Sequence, residues 1–173
     1  RRSSDLMMPV ATEVPWAVGT CSGAVSAGPD SMALFDTLIM LKKEKTLNVI
    51  CAHVNHNTGR TGQNEEQAYL EKYCAKHNIT FEPLKIEKYN NINFESEARE
   101  KRYYFFEEII NKYQAKYLLT AHHGDDLIET ILMRIVRGST LRGYSGFSKI
   151  VKKENYTILR PLIEITKDEI VKY

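Results

Sequence analysis

Cysteine is scarce in this chain: Cys21, Cys51 and Cys74 stand far apart among 173 residues. No CxxC pair is present, which argues against a structural zinc site and against an iron–sulfur cluster. A sparse and odd number of cysteines is typical of a reducing compartment. Cys51 lies in an apolar strand-like segment and Cys74 in a helix-like one, so both are expected to be small residues of the core.

Long apolar runs and an excess of one charge are also missing. No segment approaches the roughly 18 apolar residues that cross a bilayer, so no membrane contact is expected. Residues 1–23 begin with arginines and serines but contain no apolar signal-peptide core, so we expect a leader or a loosely ordered N-terminus there. The net charge is +2, so any polyanion site must come from a local cluster of basic residues.

Strand-like and helix-like segments alternate along the chain. Apolar, β-rich runs occupy residues 47–54, 79–86, 117–123 and 157–162. Helical patterns occupy residues 32–44, 64–77, 94–114 and 124–138, and Thr166 with Glu169 opens a last helix. A first strand is expected just before residue 26. This order predicts an α/β fold: a doubly wound, mainly parallel five-stranded sheet with helices on both faces, in a domain spanning residues 24–173.

The stretch SAGPDS, residues 26–31, follows the first expected strand and precedes a helix. Small residues let backbone N–H groups approach a phosphate, and the helix N-terminus adds partial positive charge. Ser26 and Ser31 can donate hydroxyl hydrogen bonds, whereas Asp30 beside a phosphate implies a bridging divalent cation such as magnesium. The lysine of a Walker A loop is absent. The alternative is a turn with an N-cap aspartate and no ligand.

The stretch AHHGDDLIET, residues 121–130, combines two histidines at the end of a strand with two aspartates that open a helix. This set suits a histidine that faces a phosphate or leaving group and an aspartate that acts as metal ligand or proton acceptor. The alternative is that both aspartates only cap the helix. Zinc bound by His122 and His123 together is disfavoured because adjacent strand residues point to opposite faces.

Two further clusters are basic. Arg99 and Arg102 lie one helical turn apart and can clamp a phosphate or carboxylate, although nearby glutamates also fit a solvated charged face. Arg134, Arg137 and Arg142 border a glycine-containing loop that suits a polyanion backbone, or is simply a solvated loop. The aromatic run at residues 103–106 is expected to belong to the core.

These motifs resemble the N-terminal catalytic domain of tRNA(Ile)-lysidine synthetases, in the N-type ATP pyrophosphatase superfamily. The matching segments are AVSAGPDSMAL, HVNH, ESEAREKRYYFF, AHHGDDLIETILMRIVRG with LRG, and RPL. They follow family order from about residue 24 to 173. The resemblance implies an adenine nucleotide alpha hydrolase-like, Rossmann-like fold. Ala27 departs from the usual SGGxDS; its methyl group is tolerated if φ is negative and crowds the loop otherwise.

The resemblance implies that ATP adenylates the C2 oxygen of the wobble cytidine, after which free L-lysine displaces AMP. Its implied ATP contacts are Ser26, Ala27, Gly28, Pro29, Asp30 and Ser31, with Ala52, His53 and Val54 beside adenine. Mg²⁺ would lie near Asp30 and Asp126, and Asp126 would be a metal ligand or general base. His122 and Arg102 would stabilise the transferred phosphoryl group, and Arg99 would serve the α-phosphate or the lysine carboxylate.

The expected partner is an isoleucine tRNA with a CAU anticodon, bound in part by Arg134, Arg137 and Arg142. By the same resemblance the chain is expected to end before C-terminal tRNA-binding domains, to act in a bacterial-type cytoplasm or an organelle, and to allow a homodimer. Two alternatives remain. One is another N-type pyrophosphatase, such as a tRNA thiolase, which usually carries paired cysteines, or a nucleotide-amidating synthetase. The other is a degenerate domain that binds nucleotide or tRNA without catalysis.

Overall fold

The computed structural model describes residues 19–57, 61–87, 89, 94–138 and 146–173. The strands in these ranges are β1 (Gly19–Ala24), β2 (Leu47–Asn55), β3 (Thr80–Lys85), β4 (Tyr117–Thr120), β5 (Ile150–Lys152) and β6 (Thr157–Leu159). The helices are α1 (Pro29–Glu44), α2 (Gln63–Lys76), α3 (Phe94–Tyr113), α4 (Gly124–Val136) and α5 (Lys167–Val171). Within these ranges no helix has the length and apolar character needed to span a bilayer.

The strands form one sheet in the order β3-β2-β1-β4-β6-β5. Neighbours are parallel throughout, except that β5 runs antiparallel to β6 at the edge. The predicted α/β class is therefore confirmed. The sheet has one strand more than expected because the short segment Ile150–Lys152, to which the sequence analysis assigned no strand, pairs with β6.

Two apolar cores cover the two faces of the sheet. On β2, Val49 and Cys51 face the core built with α1, α2 and α5, whereas Ile50 and Ala52 face the core built with α3. This alternation follows from the two-residue period of a strand. Because both faces of β2 are buried, the sequence of β2 is almost continuously apolar. All three cysteines are fully buried and free, as expected for small core residues.

The first strand corrects the expected domain boundary. Residues 19–23 do not belong to a loose N-terminus: they form most of β1, which lies in the middle of the sheet between β2 and β4. Its sequence, GTCSGA, is poor in apolar residues, although Cys21, Ser22 and Gly23 are buried. A Cβ at Gly23 would lie 3.4 Å from Cδ1 of Leu38 on α1. Residues 1–18 lie outside the described ranges.

The strand order reverses direction between β1 and β4. The chain builds β1, β2 and β3 outwards on one side, and α3 then carries it back across the sheet to β4 on the other side of β1. The loops that leave the carboxyl ends of β1 and β4 therefore turn away from each other. They leave a crevice between them, which is where open parallel sheets bind ligands.

Candidate active site

A pocket occupies the crevice between the ends of β1 and β4. Its lining comes from β1 and the turn after it, from the ends of β2 and β4, and from helices α1, α3 and α4. The lining residues are Ala24, Val25, Ser26, Asp30, Ser31, Ala52, Val54, His56, Arg102, Tyr103, Phe106, Thr120, Ala121, His122 and Asp126. Two segments about 95 positions apart in sequence, SAGPDS and AHHGDD, thus meet at one site.

The turn after β1 is organised as a cradle for an anion. Gly28 is the N-cap residue of α1 and Pro29 begins the helix. The Ser31 hydroxyl donates to the Gly28 carbonyl at 3.0 Å and accepts from the Ser26 backbone N–H at 3.1 Å. Both serines line the pocket. A long helix that begins here directs unpaired backbone N–H groups and partial positive charge at the pocket, as phosphate sites do.

Ala27 takes the left-handed conformation, with φ at 62°. A methyl group is easily tolerated only at a negative φ, so the backbone is strained at Ala27. With this φ the methyl group is expected to crowd the loop, and this crowding does not extend to the pocket. The Ala27 methyl group packs against the core beneath α1 and is not part of the pocket lining.

Two carboxylates converge on the buried side chain of His123. Its Nε2 lies 3.8 Å from Oδ2 of Asp30 and 3.6 Å from Oδ2 of Asp126. Asp126 also caps α4, because its Oδ2 accepts from the His123 backbone N–H at 3.0 Å. Asp30 and Asp126 therefore reach the same hollow from two different helices, and the capping role does not remove Asp126 from the pocket.

The same acids suit a magnesium ion that arrives with a nucleotide. Among the described residues no group of three or more His, Cys, Asp or Glu side chains is arranged as a metal site. Magnesium in nucleotide sites commonly takes one or two carboxylates and obtains its other ligands from phosphate and water. The oxygens of Asp30 and Asp126 match that chemistry, beside the cradle formed by the turn after β1.

His122 contributes a neutral imidazole to the pocket. Its Nδ1 lies 2.9 Å from the Thr120 hydroxyl. Burial lowers the pKa of His122 to about 4, and the nearby Arg160 guanidinium acts in the same direction. At neutral pH the side chain is therefore uncharged, and it can act on a ligand as a hydrogen-bond donor or acceptor.

Helix α3 supplies the facing wall. Arg102 lines the pocket, and burial lowers the pKa of its guanidinium. Arg99 is exposed at the rim, with its guanidinium carbon 4.9 Å from the centre of the Tyr103 ring. Phe105 and Phe106 are buried, whereas Tyr104 is 66% exposed. The expectation that the whole aromatic run belongs to the core is thus wrong for Tyr104, and Tyr103 and Phe106 also line the pocket.

The structure separates the remaining expected site residues. The side chain of His53 is buried on the other face of β2, where its Nδ1 lies 2.8 Å from the Val25 carbonyl oxygen and its ring stacks on Phe81. Strand alternation explains this, because the pocket takes Ala52 and Val54. Arg134 and Arg137 lie near the far end of α4, and Arg134 donates to the Gly146 carbonyl at 2.7 Å. Arg142 lies outside the described ranges.

Several residues of the site were not among those expected from sequence. His56 ends the HVNH segment, and its Nδ1 lies 2.6 Å from the Tyr89 hydroxyl. Thr120 orients His122, as described above. Lys167 lies 137 positions after Asp30 and contacts it through an ion pair of 2.5 Å. Position in the HVNH segment could have indicated His56, whereas no local pattern indicates Lys167.

Comparison with known proteins gives a consistent family. The PP-loop domain family matches residues 18–173. A tRNA(Ile)-lysidine synthase from Bacillus cereus is 41% identical over 154 residues, which is 86% of this chain and 32% of that protein. The Staphylococcus aureus tRNA(Ile)-lysidine synthase is 40% identical over 154 residues, covering 87% of this chain and 36% of that protein. The chain thus spans about a third of the length of these relatives.

A solved structure shares the fold at low identity. The U34-tRNA thiolase from Methanococcus maripaludis, a protein with a [4Fe-4S] cluster, superposes with a TM-score of 0.74 at 17% identity. The match covers 98% of this chain and 60% of the thiolase chain. It supports the α/β architecture and the strand order described above.

Proposed function

The chain belongs to the PP-loop domain family, and from that premise we propose that it is the catalytic domain of an enzyme that joins free lysine to C2 of the wobble cytidine of an isoleucine tRNA, consuming ATP. The observation that carries this proposal is the meeting of the SAGPDS and AHHGDD segments in one pocket. The similarity to tRNA(Ile)-lysidine synthases from two bacteria supports the choice of reaction. The CAU anticodon and the adenylated intermediate belong to the proposal.

In the proposed first step, the C2 oxygen of cytidine attacks the α-phosphorus of ATP. The bond from that phosphorus to its bridging oxygen breaks, and pyrophosphate leaves with the electron pair. The turn after β1 would hold the β- and γ-phosphates on its N–H groups and on the Ser26 and Ser31 hydroxyls. Arg102 and His122 would face the phosphoryl group being transferred, where fixed donors stabilise developing charge.

The neutral state of His122 fits that role. In the tautomer that accepts the Thr120 hydroxyl hydrogen bond at Nδ1, the ring proton sits on Nε2 and would be donated to a phosphoryl oxygen. A magnesium ion bound by Asp30 and Asp126 would draw electron density from the phosphates. The adenine would lie against Ala52 and Val54, which line the pocket at the end of β2.

In the proposed second step, the deprotonated amine of lysine attacks C2. The bond from C2 to its oxygen breaks, and AMP leaves carrying that oxygen. Asp126 would accept the proton from the amine or hold the metal. Arg99, which is exposed and lies over the Tyr103 ring, would bind the lysine carboxylate or the α-phosphate. Arg134, Arg137 and Arg142 would contact the tRNA backbone.

Sulfur transfer to tRNA is the second candidate, because the fold matches a U34-tRNA thiolase. The cysteines argue against it. Cys21, Cys51 and Cys74 are fully buried in the core beneath α1 and α2, and none lines the pocket. A cluster or a persulfide-forming pair would need several accessible thiols near the nucleotide.

The test is a reaction of the chain with an isoleucine tRNA transcript, ATP, magnesium and lysine, followed by mass analysis of the wobble nucleoside. We expect lysidine in the complete mixture, and none when lysine is omitted or when the wobble base is changed to guanosine. Tight ATP binding without tRNA-dependent pyrophosphate release would favour a non-catalytic nucleotide-binding domain. A sulfur-containing nucleoside, formed with a sulfur donor, would favour the thiolase.

A further inference from the structure

Lys167 forms an ion pair with Asp30, the acid that is proposed to bind the metal. Its Nζ lies 2.5 Å from both Oδ1 and Oδ2 of Asp30, although the two residues are 137 positions apart. The Lys167 side chain is 39% exposed and that of Asp30 is 24% exposed. One ammonium group therefore contacts both oxygens of an acid in the phosphate cradle.

The backbone of Lys167 is anchored even though its side chain is long. The Lys167 N–H donates to Oδ2 of Asp125 at 2.6 Å, and Thr166 and Glu169 form a capping box around it. The preceding segment is fastened to α4 as well, because the Gly124 N–H donates to the Ile165 carbonyl at 2.8 Å. The base of the lysine is thus fixed between α4 and α5, and only its four-carbon stem is free to change rotamer.

A metal ion and an ammonium cannot share the same two oxygens. Two positive groups a few ångströms apart repel each other, so Lys167 has to leave Asp30 when a divalent ion binds there. Leaving is easy, because a partly exposed lysine–carboxylate pair contributes little stability. The phosphate chain of a nucleotide in the cradle carries several negative charges and would offer a new partner to an ammonium that leaves Asp30.

We propose that Lys167 is a phosphate-binding residue of this site, and that it exchanges Asp30 for the β- and γ-phosphates when ATP and the metal bind. It then stabilises the charge that grows on pyrophosphate as the bond between the α-phosphorus and the bridging oxygen breaks. No proton is transferred in this role, since the ammonium acts as a charged hydrogen-bond donor. The inference rests on the proposed use of ATP, and not on the identity of the tRNA nucleoside.

The test compares Lys167→Met and Lys167→Arg with Lys172→Met, which removes an exposed lysine from the end of the same helix. The first measurement is the affinity for Mn²⁺ without nucleotide, monitored by electron paramagnetic resonance. Lys167→Met should bind Mn²⁺ about fivefold more tightly than the wild type, because the competing charge is gone. Asp30→Ala should abolish this difference, and Lys172→Met should match the wild type.

The second measurement is ATP binding by titration calorimetry in the presence of magnesium. Lys167→Met should weaken ATP binding at least tenfold, the effect of losing one hydrogen bond from a charged donor. Pyrophosphate release should slow by about 100-fold, as when one charge-stabilising donor is lost. Lys167→Arg should retain most of both properties. The melting temperature of Lys167→Met should stay within about 3 °C of the wild type.

Opposite results would overturn the proposal. Tighter Mn²⁺ binding with unchanged ATP affinity and unchanged pyrophosphate release would make Lys167 a counter-ion of Asp30 only. Unchanged Mn²⁺ binding would show that the ion pair does not form in solution. A lack of lysidine from a chain that binds ATP normally would sink the proposed reaction instead, and the two binding measurements would still decide the role of Lys167.

Discussion

Replacing Ala27 by glycine tests the left-handed backbone of the phosphate cradle. The residue has φ at 62°, where a Cβ atom is too close to its own carbonyl. That conformation costs an L-residue about 1–2 kcal/mol, and glycine adopts it freely. The opposing effects are the larger entropy of glycine in the unfolded chain, about 0.4–1 kcal/mol, and the loss of one half-buried methyl group, about 0.4 kcal/mol.

These effects nearly cancel, so Ala27→Gly should be neutral or stabilise the fold by up to about 0.5 kcal/mol. The matched control is Ala68→Gly. Ala68 is exposed in the middle of α2, where glycine costs about 1 kcal/mol. Both changes add the same freedom to the unfolded chain. Their difference, about 1–1.5 kcal/mol, therefore reports the backbone conformation at residue 27.

Thermal unfolding followed by circular dichroism measures that difference. For a domain of this size about 1 kcal/mol corresponds to roughly 2–4 °C, so Ala27→Gly should melt about 2–6 °C above Ala68→Gly. Calorimetry should show equal or tighter ATP binding for Ala27→Gly, because the cradle amides keep their arrangement. A loss of stability equal to that of Ala68→Gly would refute the left-handed assignment, and a large loss of ATP affinity would refute the cradle.

Three further changes test the proposed metal site and the side chains at the start of α4. Asp126→Asn keeps an oxygen for the cap of α4 but removes the charge, so turnover should fall at least 100-fold with little change in melting temperature; normal turnover would leave Asp126 as a helix cap only. Asp30→Ala should abolish pyrophosphate release, and unchanged release would remove its metal role. His122 binds a proton near pH 6.5 when unfolded but only near pH 4 when folded, so its contribution is present above pH 6.5 and is lost as pH falls towards 4. Urea unfolding above pH 6.5 and near pH 4 measures this loss of unfolding free energy, which should be at most about 3 kcal/mol in the wild type and absent in His122→Gln. An equal loss in both proteins would refute the burial of His122.

Local pattern predicted most elements of the fold. The apolar β-rich run at β2 and the helix that AHHGDD opens could be assigned from residue type and spacing, because strand and helix periods are local properties. β1 was only partly predicted. Its glycines and small polar residues have low strand propensity, and only the assembled sheet shows that this segment pairs with β2 and β4.

For the proposed site, the sequence by itself predicted which side chains to consider: the serines and Asp30 at the start of α1, and His122 and Asp126 at the start of α4. The tertiary structure decided which of them meet. The crossing from β3 to β4 placed the turns after β1 and β4 on either side of one crevice. Strand alternation turned His53 away from that crevice, and the start of α5 brought Lys167 into contact with Asp30. The physical reason is range: side-chain periodicity acts over a few residues, whereas the pairing of residues 137 positions apart depends on how the whole sheet and its helices pack.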